Sequence, residues 1–475
     1  MAGAQGTWRR WDWDLAAGLT TIDAEAHGRN HLSQSAVLEA VRTGALNPFI
    51  PTNDPAALAA VKAEFSDRTS GRSQFVQAKA TTELAQLDHG ALALAIGAER
   101  RRESFATALD PLTLAGDING VSETDVSLAR GVGAVFAEIN WPAAASLEVQ
   151  LAARHDRYSD FGSSTSPKVA LRWQPDKALL LRASAGRGFL PPTLLQLNRP
   201  RAAGEGVFDP VRCPVTESFN DCGGGTNIYS QQGNPDLDAE RSQQHNVGIV
   251  VKPAPGWGAS LDVWRIAHIG KIVFGGDYIL RNEAAFPGRV IRAPASPEDI
   301  ARGVPGPIVE FHDTFVNVAS SDVRGVDIEV EGRVASVFGG ALALGATVSY
   351  LERFVERVTP LDASSDAAGG DGRPRLRASA STDWQRGPWQ FGIVARHIGS
   401  YGYLQPIDNA PLTVASWTVL DLTFAWRGPR DRVSLTLFNA ADRQPPFRSI
   451  GVGYDYQAMH DPLGRIVSLA WRHSF

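Results

Sequence analysis

The sequence predicts an all-β fold: an antiparallel transmembrane β-barrel of about 16 long strands, with short periplasmic turns and long extracellular loops. Three observations predict it. Apolar and polar residues alternate with period 2 from one end of the chain to the other. Most alternating runs are about 10–15 residues long. Soluble proteins usually use strands of ~5–6 residues, whereas a tilted strand crossing a bilayer needs ~9–11. Finally, short and long connections take turns along the chain.

The strands are expected near 8–25, 72–87, 90–105, 127–141, 146–160, 164–174, 178–188, 241–253, 257–275, 311–334, 340–356, 373–386, 388–402, 414–427, 431–440 and 464–474. The segment from Ser146 to Tyr158 is typical. Leu147, Val149, Leu151 and Ala153 fall on one face, and Glu148, Gln150, Arg154 and Asp156 on the other. The short connections include 87–91, 141–146, 174–178, 253–257, 334–341, 385–388 and 426–432. The longer ones include 26–71, 106–126, 189–240, 276–310 and 441–463, with 161–163 a short exception.

Tryptophan placement follows the same asymmetry. Trp141, Trp173, Trp257, Trp384, Trp389 and Trp426 sit beside short turns, and Trp8, Trp11, Trp13 and Trp471 lie near the chain ends. Together they are expected to form membrane-interface aromatics at one bilayer face, because the indole ring is apolar at one part and hydrogen-bonds at another. The last run alternates Val467, Leu469, Trp471, His473 and Phe475 with polar or small residues. This run resembles the last strand of an outer-membrane barrel, which ends in an aromatic that the barrel-assembly machinery reads, so Phe475 is expected to be a C-terminal assembly signal.

Composition narrows the possibilities. Lys plus Arg is 46 and Asp plus Glu 51 over 475 residues, a net charge of −5. A nucleic-acid footprint would show the opposite surplus, so no nucleic-acid partner is expected. At 43% hydrophobic residues, global disorder is excluded. No stretch of ~18 uncharged apolar residues is present to form a transmembrane helix. The opening MAGAQGTWRRWDWDL has no apolar signal-peptide segment. On these facts alone the chain reads as two to four cytosolic domains; the alternation argues against that.

Several segments carry a family resemblance. They are LRWQPDKALLLRASAGRGFLPPTLLQL (171–197), GNPDLDAERSQQHNVGI (233–249), NVASSDVRGVDIEVEGRV (317–334), LTLFNAADRQPPF (435–447) and DPLGRIVSLAWRHSF (461–475). As an ordered set they resemble the barrel of a TonB-dependent outer-membrane receptor over nearly the whole chain. The resemblance implies a bacterial outer-membrane location, contact with outer-membrane lipid and lipopolysaccharide, and a scarce small-molecule ligand such as a ferric siderophore, haem, cobalamin or a glycan. It implies neither enzyme activity nor a cofactor. Family members also carry a signal peptide, a TonB box, a plug domain and a 22-strand barrel. This sequence is therefore expected to be one barrel domain, 1–475, truncated on its N-terminal side. It would engage TonB only if a longer chain supplied plug and TonB box. The alternative is a passive 16-strand porin-like channel.

Individual residues add less. Cys213 and Cys222 share a polar extracellular loop and are expected to form a disulfide in an oxidising compartment. The ten His show no metal-ligand spacing, and each reads as a lumen, loop or interface residue. Arg100, Arg101 and Arg102 read as a solvated strand end, with contact to anionic lipopolysaccharide as the alternative. Segments of loop 26–71 have helix-like spacing but are read as loop packing. Asp156, Asp262, Asp327 and Glu329 are expected to face a wet lumen and pair with arginine across strands. No catalytic motif stands out.

Overall fold

The computed structural model describes residues 1–118, 124–200, 202–223, 228–370, 372–404, 411–448 and 459–474. Seventeen long strands form one antiparallel meander. They are β1 (Ala2–Trp8), β2 (Trp11–Leu32), β3 (Lys62–Leu87), β4 (Gly90–Ala108), β5 (Ser127–Ala144), β6 (Leu147–Tyr158), β7 (Gly162–Trp173), β8 (Leu179–Leu190), β9 (Glu240–Ala254), β10 (Trp257–Phe274), β11 (Ile308–Val337), β12 (Gly340–Arg357), β13 (Leu376–Arg386), β14 (Trp389–Ile398), β15 (Trp417–Arg427), β16 (Asp431–Phe438) and β17 (Ile466–His473). With shorter loop strands they make a 21-stranded sheet. Among the described residues β1 pairs only with β2, and β17 only with β16.

The register shows what the alternation is for. Leu151 lies between Ile139 and Val169, Val263 between Val247 and Val326, and Leu435 between Phe424 and Leu469. One face of the wall is thus apolar from strand to strand, and it is open: Val247 is 63% and Leu469 73% exposed. In water so extended an apolar patch would be an aggregation hazard. Against lipid it is the surface the bilayer requires. A slip of one residue would turn every strand inside out, so the buried-in-lipid face fixes the register.

The other face is polar. Asp156, Asp262, Asp327 and Glu329 all lie on it, opposite Ala134, Asp327, Asp262 and Ser260 respectively. Arg182 of β8 reaches across β9 to Asp262 of β10, with Nε 2.9 Å from Oδ1. The intervening residue is Gly248, where an added Cβ would sit 2.2 Å from the Asp262 carboxylate. Glycine leaves the gap through which the pair closes.

Three expectations change. β1 is a seventeenth strand ahead of the sixteen expected. AGAQGTW has no large apolar residue before Trp8, so its period is faint. β2 and β3 also run further than their sequence pattern, shrinking loop 26–71 to residues 33–61. That loop does contain helices. In α1 (Gln34–Arg42) the Ser33 side chain accepts from the Ala36 N–H, and in α2 (Pro55–Ala60) Asp54 accepts from Ala56 N–H with Pro at the first turn. The caps decide what the spacing left open.

Candidate functional site: a folded cap over the outer end of the wall

Two connections expected to be plain loops, β8–β9 and β10–β11, fold together at the long-loop end. Ile228–Gln232 runs parallel to Glu310–Thr314 of β11, and Val290–Arg292 pairs antiparallel with the same end. Val207, Ile279, Leu280, Ile308, Phe311 and Val316 form a buried core beneath them. A helix at Pro297–Arg302 starts with a capping box from Ser296 and Asp299.

Charge stitches the two connections. The Arg292 Nη1 donates to Asp209 at 2.6 Å and to the Gly306 carbonyl, while Nε donates to Glu283 at 2.9 Å. The Arg212 Nε donates to Asp221 at 3.0 Å and its Nη1 to Asp299 at 2.8 Å. Arg212, Asp209, Asp221 and Asp299 are all buried. Buried charges persist only when paired and hydrogen-bonded, and arginine's planar fork suits two carboxylates at once. Beside this pair lies the Cys213–Cys222 disulfide, with Cα atoms 5.0 Å apart. It joins the neighbours of Arg212 and Asp221, so one covalent and one ionic link close the same short loop.

The surroundings shift these groups. The Ser296 backbone N–H, Arg212 and the Ser296 hydroxyl hold Asp299 down at about 2. Burial pushes Asp221 up, but hydrogen bonds from Arg212, Thr216 and Ser218 outweigh it and hold the carboxyl below its usual range. Burial raises the Tyr229 phenol to about 12.

Below the cap, a second network occupies the polar face. Arg101 bridges Glu99 and Glu103 at 2.8 and 2.7 Å, Arg130 adds to Glu103 at 2.7 Å, and Arg154 joins Glu99 to Asp156 at 3.0 and 2.9 Å. The Arg101 pairs and Arg154–Asp156 join residues two apart on one strand, whereas Arg130–Glu103 and Arg154–Glu99 run between strands and tie the wet face together.

The residues singled out in the sequence separate by place. Trp141, Trp173, Trp257, Trp384, Trp389 and Trp426 all stand on the apolar face beside short turns, against Val149, Leu181, Gly332, Leu342, Trp426 and Trp389. Trp8, Trp11, Trp13 and Trp471 share that face and that end. Trp264 lies on the opposite face, and Trp417 is buried at the other end of its strand. Phe475 lies outside the described residues. The arginine run splits, with Arg101 on the polar face and Arg100 and Arg102 on the apolar one. Among the described residues no group of three or more His, Cys, Asp or Glu could hold a metal. Sequence reasoning missed Asp209, Arg212, Asp221, Glu283, Arg292 and Asp299. Only the Ser296-Pro-Glu-Asp299 capping pattern could have pointed there.

Comparison with known proteins fits this geometry. The family described as TonB dependent receptor-like, beta-barrel matches residues 3–440. The chain is 28% identical over 140 residues to an iron-regulated outer membrane virulence protein of Vibrio cholerae, a match covering 30% of this chain and 18% of that protein. The fold resembles the siderophore receptor PirA from Acinetobacter baumannii (TM-score 0.66, 16% identity). It also resembles a mutant of the ferric enterobactin receptor PfeA from Pseudomonas aeruginosa (TM-score 0.66, 16% identity). All of this chain is covered in both, and it spans 61% of the length of each. The chain belongs to the TonB-dependent receptor β-barrel family of the bacterial outer membrane.

Proposed function

We propose that this chain is the barrel wall and outer cap of a receptor that takes up a ferric siderophore. The observation that carries the reading is the cap itself. A disulfide and two buried arginine clusters preorganise the loops at the outer mouth, whereas a passive pore needs only an opening. Preorganised loops lose less entropy when they hold a ligand. The names of the relatives point the same way, since they include siderophore and ferric enterobactin receptors and an iron-regulated protein. The paired charges on the polar face leave a lumen wall that a polar, metal-bearing chelate can pass. The ten tryptophans on the apolar face at the short-turn end serve as the inner interface anchors in this reading. Energy coupling through TonB requires a plug and a TonB box acting with this wall.

The test is equilibrium binding of ferric enterobactin to outer membranes bearing the chain. Saturable binding that weakens when Cys213 and Cys222 are both changed to Ser is expected. Steady open-channel conductance in planar bilayers, with no saturable ferric-chelate binding, would favour the porin-like channel instead.

A further inference from the structure

The short-turn end of the last three strands carries a row of like charges. Arg427 of β15 lies directly opposite Arg432 of β16, and Arg432 directly opposite Arg472 of β17. Trp426, Val433 and Trp471 alternate with them on the apolar face, so all three arginines stand on the polar face that lines the lumen. Residues directly opposite on a ladder have Cβ atoms ~5 Å apart, and like charges so placed are destabilising. The row therefore works against the stability of the wall, which a purely structural role does not explain.

Elsewhere on this face arginines are answered by carboxylates. Arg154 meets Glu99 and Asp156, Arg182 meets Asp262, and Arg396 meets Asp421. Arg427, Arg432 and Arg472 form no ion pair among the described residues. The carboxylates nearby are committed. Asp431 points to the other face, where it bonds Trp471 Nε1 and His473 Nδ1 at 2.9 Å each. Asp421 holds Arg396 at 2.7 Å, and Asp383 accepts from Gln390 Nε2 at 2.6 Å. Arg432 Nη2 donates to the neutral Gln390 Oε1 at 3.3 Å.

The two rungs above the row are small. Ala425, Ser434 and Ala470 lie side by side, followed by Thr423, Thr436 and Ser468. These rungs leave a polar shelf in front of the guanidiniums, with no long side chain on it, and Arg427 and Arg472 are exposed. With the cap outside the cell, the shelf lies at the inner mouth of the lumen.

We infer that the Arg427–Arg432–Arg472 row is an exit station for an anionic ferric chelate, an assignment that rests on the uptake reading above. Ferric iron held by three catecholate dianions keeps a net negative charge, whereas iron held by three hydroxamates is neutral. Guanidiniums side by side on one wall of a channel focus a positive potential and raise the local concentration of such an anion. Their planar forks donate to the charged catecholate oxygens. The row thus favours anionic over neutral cargo at the point where cargo leaves the lumen.

The experiment uses the full chain folded in detergent micelles, with its alanine methyls labelled for NMR. Ferric enterobactin is compared with its diamagnetic gallium analogue. The ferric chelate is expected to broaden the Ala425 and Ala470 methyl signals, and a neutral ferric trihydroxamate to leave them sharp. In R427S/R432S/R472S the concentration for half-broadening should rise at least about tenfold. The melting temperature of that variant should hold or rise, because the repulsion is gone. Arg386→Ser, which removes a charge from the apolar face at the same end, should behave as the unaltered chain does. Ala293 in the cap reports the outer site separately, so loss of its broadening alone counts against the cap reading and not against the row. Equal broadening by the neutral chelate would overturn the proposal. So would undiminished broadening in the folded triple variant, or complete displacement by millimolar inorganic phosphate.

Discussion

Arg292 illustrates how much one side chain holds in the cap. Its guanidinium faces Asp209, Glu283 and the Gly306 carbonyl, and Asp209 is almost wholly buried. Removing the cation leaves a buried carboxylate uncompensated, which typically costs ~3–5 kcal/mol. Arg292→Ala is therefore expected to abolish protection of the Val290–Arg292 and Ile228–Gln232 amides in hydrogen exchange, while the wall strands keep theirs. Asp299 adds a pH signature. Its carboxyl sits at about 2 against an ordinary 3.8. A carboxylate held below its ordinary value stabilises the fold above that value, and the contribution fades as pH falls from about 4 through about 2. Digestion of the cap by pepsin should therefore rise over that window, and Asp299→Asn should flatten the rise by making the cap weak throughout.

At the scale of single elements, the disulfide loop and β9 give separable effects. Closing the Cys213–Cys222 loop restricts the unfolded chain by ~2–3 kcal/mol. Its reduction is expected to make the 207–223 segment protease-sensitive without lowering the melting temperature of the wall. Gly248 acts on the wall instead. Gly248→Ala puts a methyl between Arg182 and Asp262, and because that pair is partly solvated the loss should be ~1 kcal/mol. A fall in wall melting temperature with the cap unaffected is the expected result. The elements also differ in how far sequence revealed them. β6 and β10 stand out because apolar residues such as Leu151 and Val263 alternate with polar ones such as Gln150 and Asp262, which makes period 2 plain. β1 alternates alanine with glycine and polar residues, a pattern too weak to see. α1 and α2 had the right spacing but depended on Ser33 and Asp54, whose capping role needs the fold around them.

For the whole molecule, the wall was legible and the cap was not, and the reason is physical. Every wall strand answers to one external constraint, the lipid, and so repeats one pattern. The cap's pairs, such as Arg212 with Asp299, join residues 87 apart. No local spacing records such a contact. The tryptophans were placed beside short turns from sequence alone because those turns are local, and the register puts ten of them on one face. The arginine run was read as one feature although the strand divides it between two faces. The orientation that unites these findings places the cap outside the cell and the tryptophan belt at the inner interface. It is tested most directly by labelling intact cells with a membrane-impermeant maleimide. Phe49, 93% exposed in the loop between β2 and β3, and Phe338, 87% exposed in the turn between β11 and β12, lie at opposite ends. The Phe49→Cys chain is expected to label in intact cells and the Phe338→Cys chain only after the outer membrane is permeabilised. Labelling of Phe338→Cys in intact cells, with Phe49→Cys protected, would contradict the account.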